Sequence, residues 1–272
     1  MKIIVCVKKI PDPEIPPSKF RLDEESRKVI PPEEVPPVMS PYDLQAVELA
    51  LRLKEKYSSE VTVLTIDKNA SSSSSILKHA LAMGADEGIV LSDVAFEGSD
   101  SFSTAHILSQ AIQKIGNYDL ILCGRQAADW DEGLVGTILA ECLSVPLVTL
   151  AYDLEQQDGE WRVKRSILDG YQLFAVPSPA VVTVCNAVGQ PRLPSGWGII
   201  AASQKSLPIW NAQDINADPS RTGSEAARKT LAKLFIPKQD RSCEIIEGET
   251  TSEASTKLAE KLVKEGIVRI PT

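Results

Sequence analysis

Tyr118 to Leu143 reads "YDLILCGRQAADWDEGLVGTILAECL". Its first six residues form a short apolar run of the kind that makes a buried strand, and its last eight carry helical periodicity. Between them lies a loop of small and acidic residues with one large aromatic, Trp130. A strand, a glycine-bearing loop and a helix in that order place a loop and a helix N-terminus at the carboxyl edge of a parallel sheet, where open α/β sheets hold ligands.

Other short apolar runs share this pattern: "IIVCV" (3–7), "VTVLTI" (61–66), "GIVLS" (88–92) and "VVTVC" (181–185). All but the last are separated by helical stretches, which predicts a doubly wound α/β fold with a mostly parallel sheet. The first crossover helix follows "MSPYD", with Ser40 at the capping position, Pro41 at the first helical position and Asp43 three residues after the cap. Gly84 and Gly116 stop the next two helices. The serine run 71–75 reads as a loop whose last serine caps its helix.

Residues 8–40, between the first strand and its helix, hold eight of the 18 prolines, which bar helix and central strand alike. This segment is an arm, with "KFRLDEESRKVIP" able to pair as a hairpin. After Pro146 the apolar pattern changes to period two, with turns at Asp158-Gly159 and Asp169-Gly170, which predicts an antiparallel excursion. From about Leu207 strand character fades, and the chain ends in a helix and a short apolar tail.

The chain has 272 residues, a net charge of -8 and a composition typical of a soluble globular protein. No concentrated basic face is visible, so nucleic acid is not an expected partner. Five unpaired-looking cysteines and two histidines, His79 and His106, form no metal-ligand set. Both histidines fall among polar neighbours in helices and are expected at the surface. The apolar run near the N-terminus is too short for a signal core or a membrane span, so cytoplasm, or an organelle matrix after loss of a leader, is expected.

The opening loop has two readings. Gly124 ends the strand, and the helix begins near Gly133 to Gly136, so the amides of Leu134, Val135, Gly136 and Thr137 are placed to receive a phosphate. Gln126 and Asp129 can hydrogen-bond a nucleotide. Alternatively, the glycines only make the turn and the acidic residues are solvated. There is no GxGxxG after the first strand, no phosphate-binding GxxxxGK[ST] and no GxSxG, and no catalytic set stands out.

Five segments, "VCVKKIPDP", "MSPYDLQAVELALRLKE", "ALAMGADEGIVLSD", "DLILCGRQAADWDEGLVGTILAECL" and "PAVVTVCNAVGQPRLPSGWGIIAA", resemble the electron transfer flavoprotein β subunit, also called the small or FixA-type subunit. The likeness covers Met1 to about Lys205. It implies an adenine-nucleotide α-hydrolase-like fold and a heterodimer with an α subunit. It further implies a shared FAD, an AMP held by this chain and electron shuttling from acyl-CoA-type dehydrogenases, as in fatty acid oxidation. In bifurcating members a second FAD that oxidises NADH takes the place of AMP. Carried over, the pocket is Cys6, Lys8, Ser40 to Asp43, Ile66 and the loop Gly124 to Thr137, including Gln126, Asp129, Leu134, Val135 and Gly136.

The likeness also implies that residues 190–200, with Pro194, Ser195, Gly196 and Trp197, dock the partner dehydrogenase. Gly196 stands where the mitochondrial type has a leucine anchor, with Trp197 beside it. Trp130 replaces a glycine or aspartate, and Glu132 and Thr137 replace residues common in bifurcating members; AMP is the reading adopted. The expected organisation is a nucleotide-binding domain over 1–206, with the arm at 9–39, and a C-terminal extension over 207–272 that packs on the α subunit. A flavin-free, nucleotide-binding regulatory protein of the same superfold is the competing class.

Overall fold

The computed structural model describes residues 1–237 and 243–268. From β1 (Lys2–Cys6) the chain enters the proline-rich arm, which carries β2 (Lys9–Ile10), β3 (Arg21–Asp23), β4 (Lys28–Ile30) and β5 (Val38–Met39). Then follow α1 (Pro41–Tyr57), β6 (Glu60–Ile66), α2 (Ala70–Met83), β7 (Glu87–Leu91), α3 (Ser101–Ile115), β8 (Leu120–Gly124) and α4 (Val135–Leu143). The remaining elements are β9 (Leu147–Gln157), β10 (Glu160–Ile167), β11 (Gly170–Pro177), β12 (Ala180–Val184), α5 (Gly196–Gln204), β13 (Ile209–Trp210) and α6 (Thr251–Lys264).

Nine strands make one sheet in the order β11, β10, β9, β12, β8, β1, β6, β7, β13. Strands β12, β8, β1, β6, β7 and β13 run parallel, with Val5 opposite Val63 on one side and Leu122 on the other. Ile3, Ile4 and Val5 are all buried, because alternate side chains of β1 meet helices on both faces. Val5 and Val63 share a core with Val47 of α1 and Leu77 of α2; Ile4 and Ile121 share the opposite one with Ile107 of α3 and Leu139 of α4. The fold is doubly wound α/β.

Strand β9 joins the two styles of pairing, parallel to β12 and antiparallel to β10, and β10 pairs antiparallel with β11. The excursion turns where Asp158-Gly159 and Asp169-Gly170 stand. Trp161 anchors it, fully buried and donating its indole N–H to the Asp119 carbonyl at 3.1 Å. The arm hairpin forms between β3 and β4.

Four local expectations need correction. The helix after β6 starts at Ala70 and takes the serines into its first turns, because Asn69 supplies the cap by accepting from the Ser71 amide at 3.1 Å. Ser40 makes no side-chain cap, and Asp43 turns away from it to other donors. His106 is buried, since the 218–223 segment closes over α3, while His79 is half-buried. Past Leu207 the chain still adds a strand, β13, to the edge beside β7. Arg269 and Ile270 of the expected apolar tail lie outside the described residues.

By internal packing the chain forms two units, 1–234 and 235–272. Among the described residues no helix is long and apolar enough to cross a membrane, and no group of histidine, cysteine and acidic residues is placed to hold a metal ion.

Candidate functional site

From β1 the chain winds outward through β6 to β7, and α3 then carries it back to β8 on the other side of β1. This reversal opens a crevice beyond the carboxyl ends of β1 and β8. Asp43, in the first turn of α1, lies at its base and is buried. One carboxylate oxygen accepts from the Lys8 amide at 2.8 Å and the other from the Gly124 amide at 3.0 Å. A single side chain thus staples together the two strand ends that flank the crevice. Burial pushes its carboxyl up to about 7, overcoming the two backbone donors that favour the charged form.

Gly124 has to be glycine for this contact to exist. A Cβ there would lie 2.4 Å from the Asp43 Oδ1 and 2.8 Å from the Tyr42 carbonyl carbon. The Ser40 hydroxyl, buried at the same helix start, has no hydrogen-bond partner among the described residues. Cys6 and Cys123 are register partners on β1 and β8. Their mutual hydrogen bond, together with burial, holds the Cys123 thiol well above the ordinary range.

The loop after Gly124 folds back over this floor. Lys8 reaches Asp129 with an ammonium-carboxylate contact of 2.7 Å, and Gln126 donates to Asp131 at 2.6 Å. Asp131 and Gly133 take left-handed backbone conformations, which turn the chain sharply into α4. That helix starts without a side-chain cap, and the amides of Val135, Gly136 and Thr137 have no partner among the described residues. They form an open anion-accepting end. Gly136 allows α4 to sit this close to the sheet, since a Cβ would come within 2.6 Å of the Thr183 methyl.

The structure therefore gathers Cys6, Lys8, Ser40, Asp43, Gly124, Gln126, Asp129 and the first turn of α4 around one crevice. Ile66, at the end of β6, stands beside β1 at the same sheet edge. Pro194, Ser195, Gly196 and Trp197 belong elsewhere, on the loop and helix after β12. There Ser195 caps α5, accepting from the Gly198 amide at 3.0 Å. Helix α5 rests on α2 so closely that a Cβ on Gly198 would lie 2.3 Å from the Ala82 carbonyl oxygen. Its sequence "GWGIIAASQ" is apolar nearly all round, yet Ala202 is its one buried residue; Trp197 is 83% exposed and Ile200 53%. An apolar helix covered on one side only leaves a surface suited to a partner.

Several supporting contacts, and Asp67 itself, were not named by sequence reasoning. Arg125 stacks on the Tyr42 ring at 4.7 Å and donates to its hydroxyl at 3.1 Å, tying the loop to α1. Asp67, just past β6, takes a hydrogen bond from Ser73 and an ion pair from Lys9. Glu132 is engaged by Ser101 and, at 3.6 Å, by Lys229. An acidic residue directly after a strand is the signal that marks Asp67; the pairs of Arg125 and Glu132 are long-range and leave none.

Residues 29–215, more than half of the chain, match the model of the electron transfer flavoprotein domain. Caffeyl-CoA reductase-Etf complex subunit CarD of Acetobacterium woodii is 35% identical, over 98% of this chain and 100% of that one. The electron transfer flavoprotein subunit beta of Thermoanaerobacterium thermosaccharolyticum is likewise 35% identical, over 98% and 100%. Protein FixA of Azotobacter vinelandii is 31% identical, over 91% of this chain and 88% of its own length.

Proposed function

The chain belongs to the electron transfer flavoprotein family as a β-type electron transfer subunit, and on that premise we propose that it pairs with an α subunit in an FAD-containing heterodimer and itself holds a structural AMP. The heterodimer shuttles electrons from acyl-CoA-type flavin dehydrogenases to a respiratory or other redox acceptor. The observation that supports the nucleotide site best is the uncapped N-terminus of α4 at the crevice. The amides of Val135 to Thr137 take the phosphate, with Leu134 at the turn. Gln126 and Asp129 face the ribose and base, Ile66 lines the wall, and Cys6, Lys8, Ser40, Asp43 and Gly124 make the floor.

FAD, when bound, supplies the redox chemistry. This chain's residues bind, orient and exclude water, and no side chain is assigned a bond-making step. The nucleotide-binding domain is taken as 1–206 with the arm 9–39, and the chain to 234 packs in the same unit. Pro194 to Trp197 and α5 dock the dehydrogenase, with Trp197 as the anchor in place of the leucine absent at Gly196. The extension within 207–272 meets the α subunit through its final unit, where Leu258, Val263 and Ile267 are exposed.

One relative is named as part of a caffeyl-CoA reductase-Etf complex, which favours a second reading in which the pocket holds a second FAD that oxidises NADH. Co-expression with the α subunit, followed by denaturation and counting of released nucleotides, separates the two. One FAD and one AMP per heterodimer is the expected result. Two FAD and no AMP would select the second reading, and a nucleotide without FAD would leave only a flavin-free regulatory protein.

A further inference from the structure

Between the short 3-10 turn at Asn186–Val188 and α5, the chain from Gly189 to Ser195 has no regular structure, so something else must hold it. Arg192 does. Its amide and its Nε both donate to Glu48 Oε2, at 3.0 and 2.9 Å, and its terminal nitrogens reach Glu55, one of them at 3.2 Å. Glu48 also accepts from Arg52 Nε at 2.8 Å, and Arg52 extends a second nitrogen to the Val188 carbonyl at 3.0 Å. Glu48, Arg52 and Glu55 stand at i, i+4 and i+7, on one face of α1. Arg52 of α1 therefore holds one end of the 188–192 stretch, and Glu48 and Glu55 of the same helix hold Arg192 at the other.

Burying Glu48 carries a desolvation cost that only well-formed partners offset. Burial raises its carboxyl, but the bonds from Arg192 and Arg52 outweigh that and hold it below the usual range. Helix α1 does not need this network for its own attachment, since Val47, Leu51 and Leu53 already seat it in the core. What the network adds is a fixed path for the segment leading into α5. Asp43, the staple of the nucleotide crevice, is five residues from Glu48 on the same helix, about 7.5 Å along its axis.

We infer that Arg192 and Glu48 are positioning residues for partner docking: they lock the 188–195 segment to α1, so that Trp197 and α5 are presented at a fixed distance from the nucleotide crevice. This rests on the proposed docking role of Pro194 to Trp197. Loss of the clamp leaves the anchor present but badly placed, which weakens encounter with the partner without touching the flavin.

The test uses the heterodimer with its α subunit and a short-chain acyl-CoA dehydrogenase, reduced by its acyl-CoA, as the probe. Arg192→Met, Arg192→Lys and Trp197→Ala are compared for flavin content, KM for the dehydrogenase, kcat, and amide hydrogen exchange. Arg192→Met is expected to raise KM at least fivefold with kcat and flavin content unchanged. It should also speed exchange over 189–195 at least tenfold while 41–57 stays protected. Arg192→Lys, with one donor head in place of a fork, is expected to recover only part of the loss. If Trp197→Ala raises KM and Arg192→Met changes neither KM nor exchange, the clamp is overturned and the docking reading stands. If Trp197→Ala leaves KM unchanged, the docking reading falls and the role assigned to the clamp falls with it. Loss of flavin or of protection in 41–57 in Arg192→Met would reduce the network to a fold-stabilising one and overturn the inference.

Discussion

At the crevice, the residues that matter most are those whose size or charge leaves no choice. Gly136 is one: its missing Cβ leaves room for the Thr183 methyl, and Thr183 cannot swing away freely because its hydroxyl accepts from the Leu150 amide at 3.2 Å. Gly136→Ala is therefore expected to cost about 1–3 kcal/mol by overpacking and to release the nucleotide proposed for this site. Adding Thr183→Ser, which removes the methyl and keeps the hydroxyl, should restore most of the melting temperature; no recovery in the pair would show that the strain lies elsewhere. Asp43 gives a pH signature. Its native carboxyl is pushed up to about 7 from 3.8, so between those values the folded chain keeps a proton that the unfolded chain has released. Its contribution to stability consequently falls as pH rises from about 4 to about 7 and is level above that. Denaturant unfolding of wild type and Asp43→Asn across this range should show the slope shrinking in the variant. Below about pH 4 the variant should be the less stable of the two, because an amide offers one acceptor where two backbone donors wait, and its deficit should shrink as pH rises toward 7. A difference profile independent of pH would refute the assignment. The sequence placed Asp43 and Ser40 at the helix start but misassigned their bonds. A capping box is a local pattern, whereas the Lys8 and Gly124 amides that claim Asp43 lie 35 and 81 residues away.

At the level of elements, legibility followed the range of the forces involved. The strands of the parallel sheet and the period-two excursion were readable because burial on two faces or on one imposes its own residue pattern. Strand β13 escaped notice because two residues carry no period; what makes it a strand is pairing with Val90 and Leu91 of β7. The start of α2 was missed because the serine run drew the cap to itself, while Asn69, an equally good cap, stood just ahead. Helix α5 is held to α2 through Gly198 and Ala202, and the contact is with backbone at Ala82, which cannot give way. Gly198→Ala is expected to lift α5 from α2 and to abolish docking of the dehydrogenase, while flavin and nucleotide content of the heterodimer stay at wild-type levels. Reduction kinetics with the acyl-CoA dehydrogenase alongside a cofactor count checks both halves. Normal kinetics in a folded Gly198→Ala heterodimer would mean that α5 is not the docking element.

For the molecule as a whole, the decisive contrast is between a body with two buried helix layers and a final unit that buries little. Helix α6 has no buried residue, although Ala254, Leu258 and Leu262 recur at i, i+4 and i+8 on one face. A helix of 14 residues is marginal in water on propensity alone, so this one needs an apolar face to rest on. The proposed α subunit supplies it, and that assignment has a measurable consequence. In the isolated chain, brief trypsin treatment should cut first within 243–268, where Lys257, Lys261 and Lys264 lie, and leave the body intact. In the heterodimer the same bonds should be cut at least tenfold more slowly. Fully burying a leucine is worth roughly 1.5–3 kcal/mol, so Leu258→Asp should weaken association with the α subunit tenfold or more. The same substitution should leave the melting temperature of the isolated chain unchanged, because Leu258 is already half exposed there. Equal protection of the lysines with and without the α subunit would place the face of α6 against the chain itself, and the extension would then have no part in assembly.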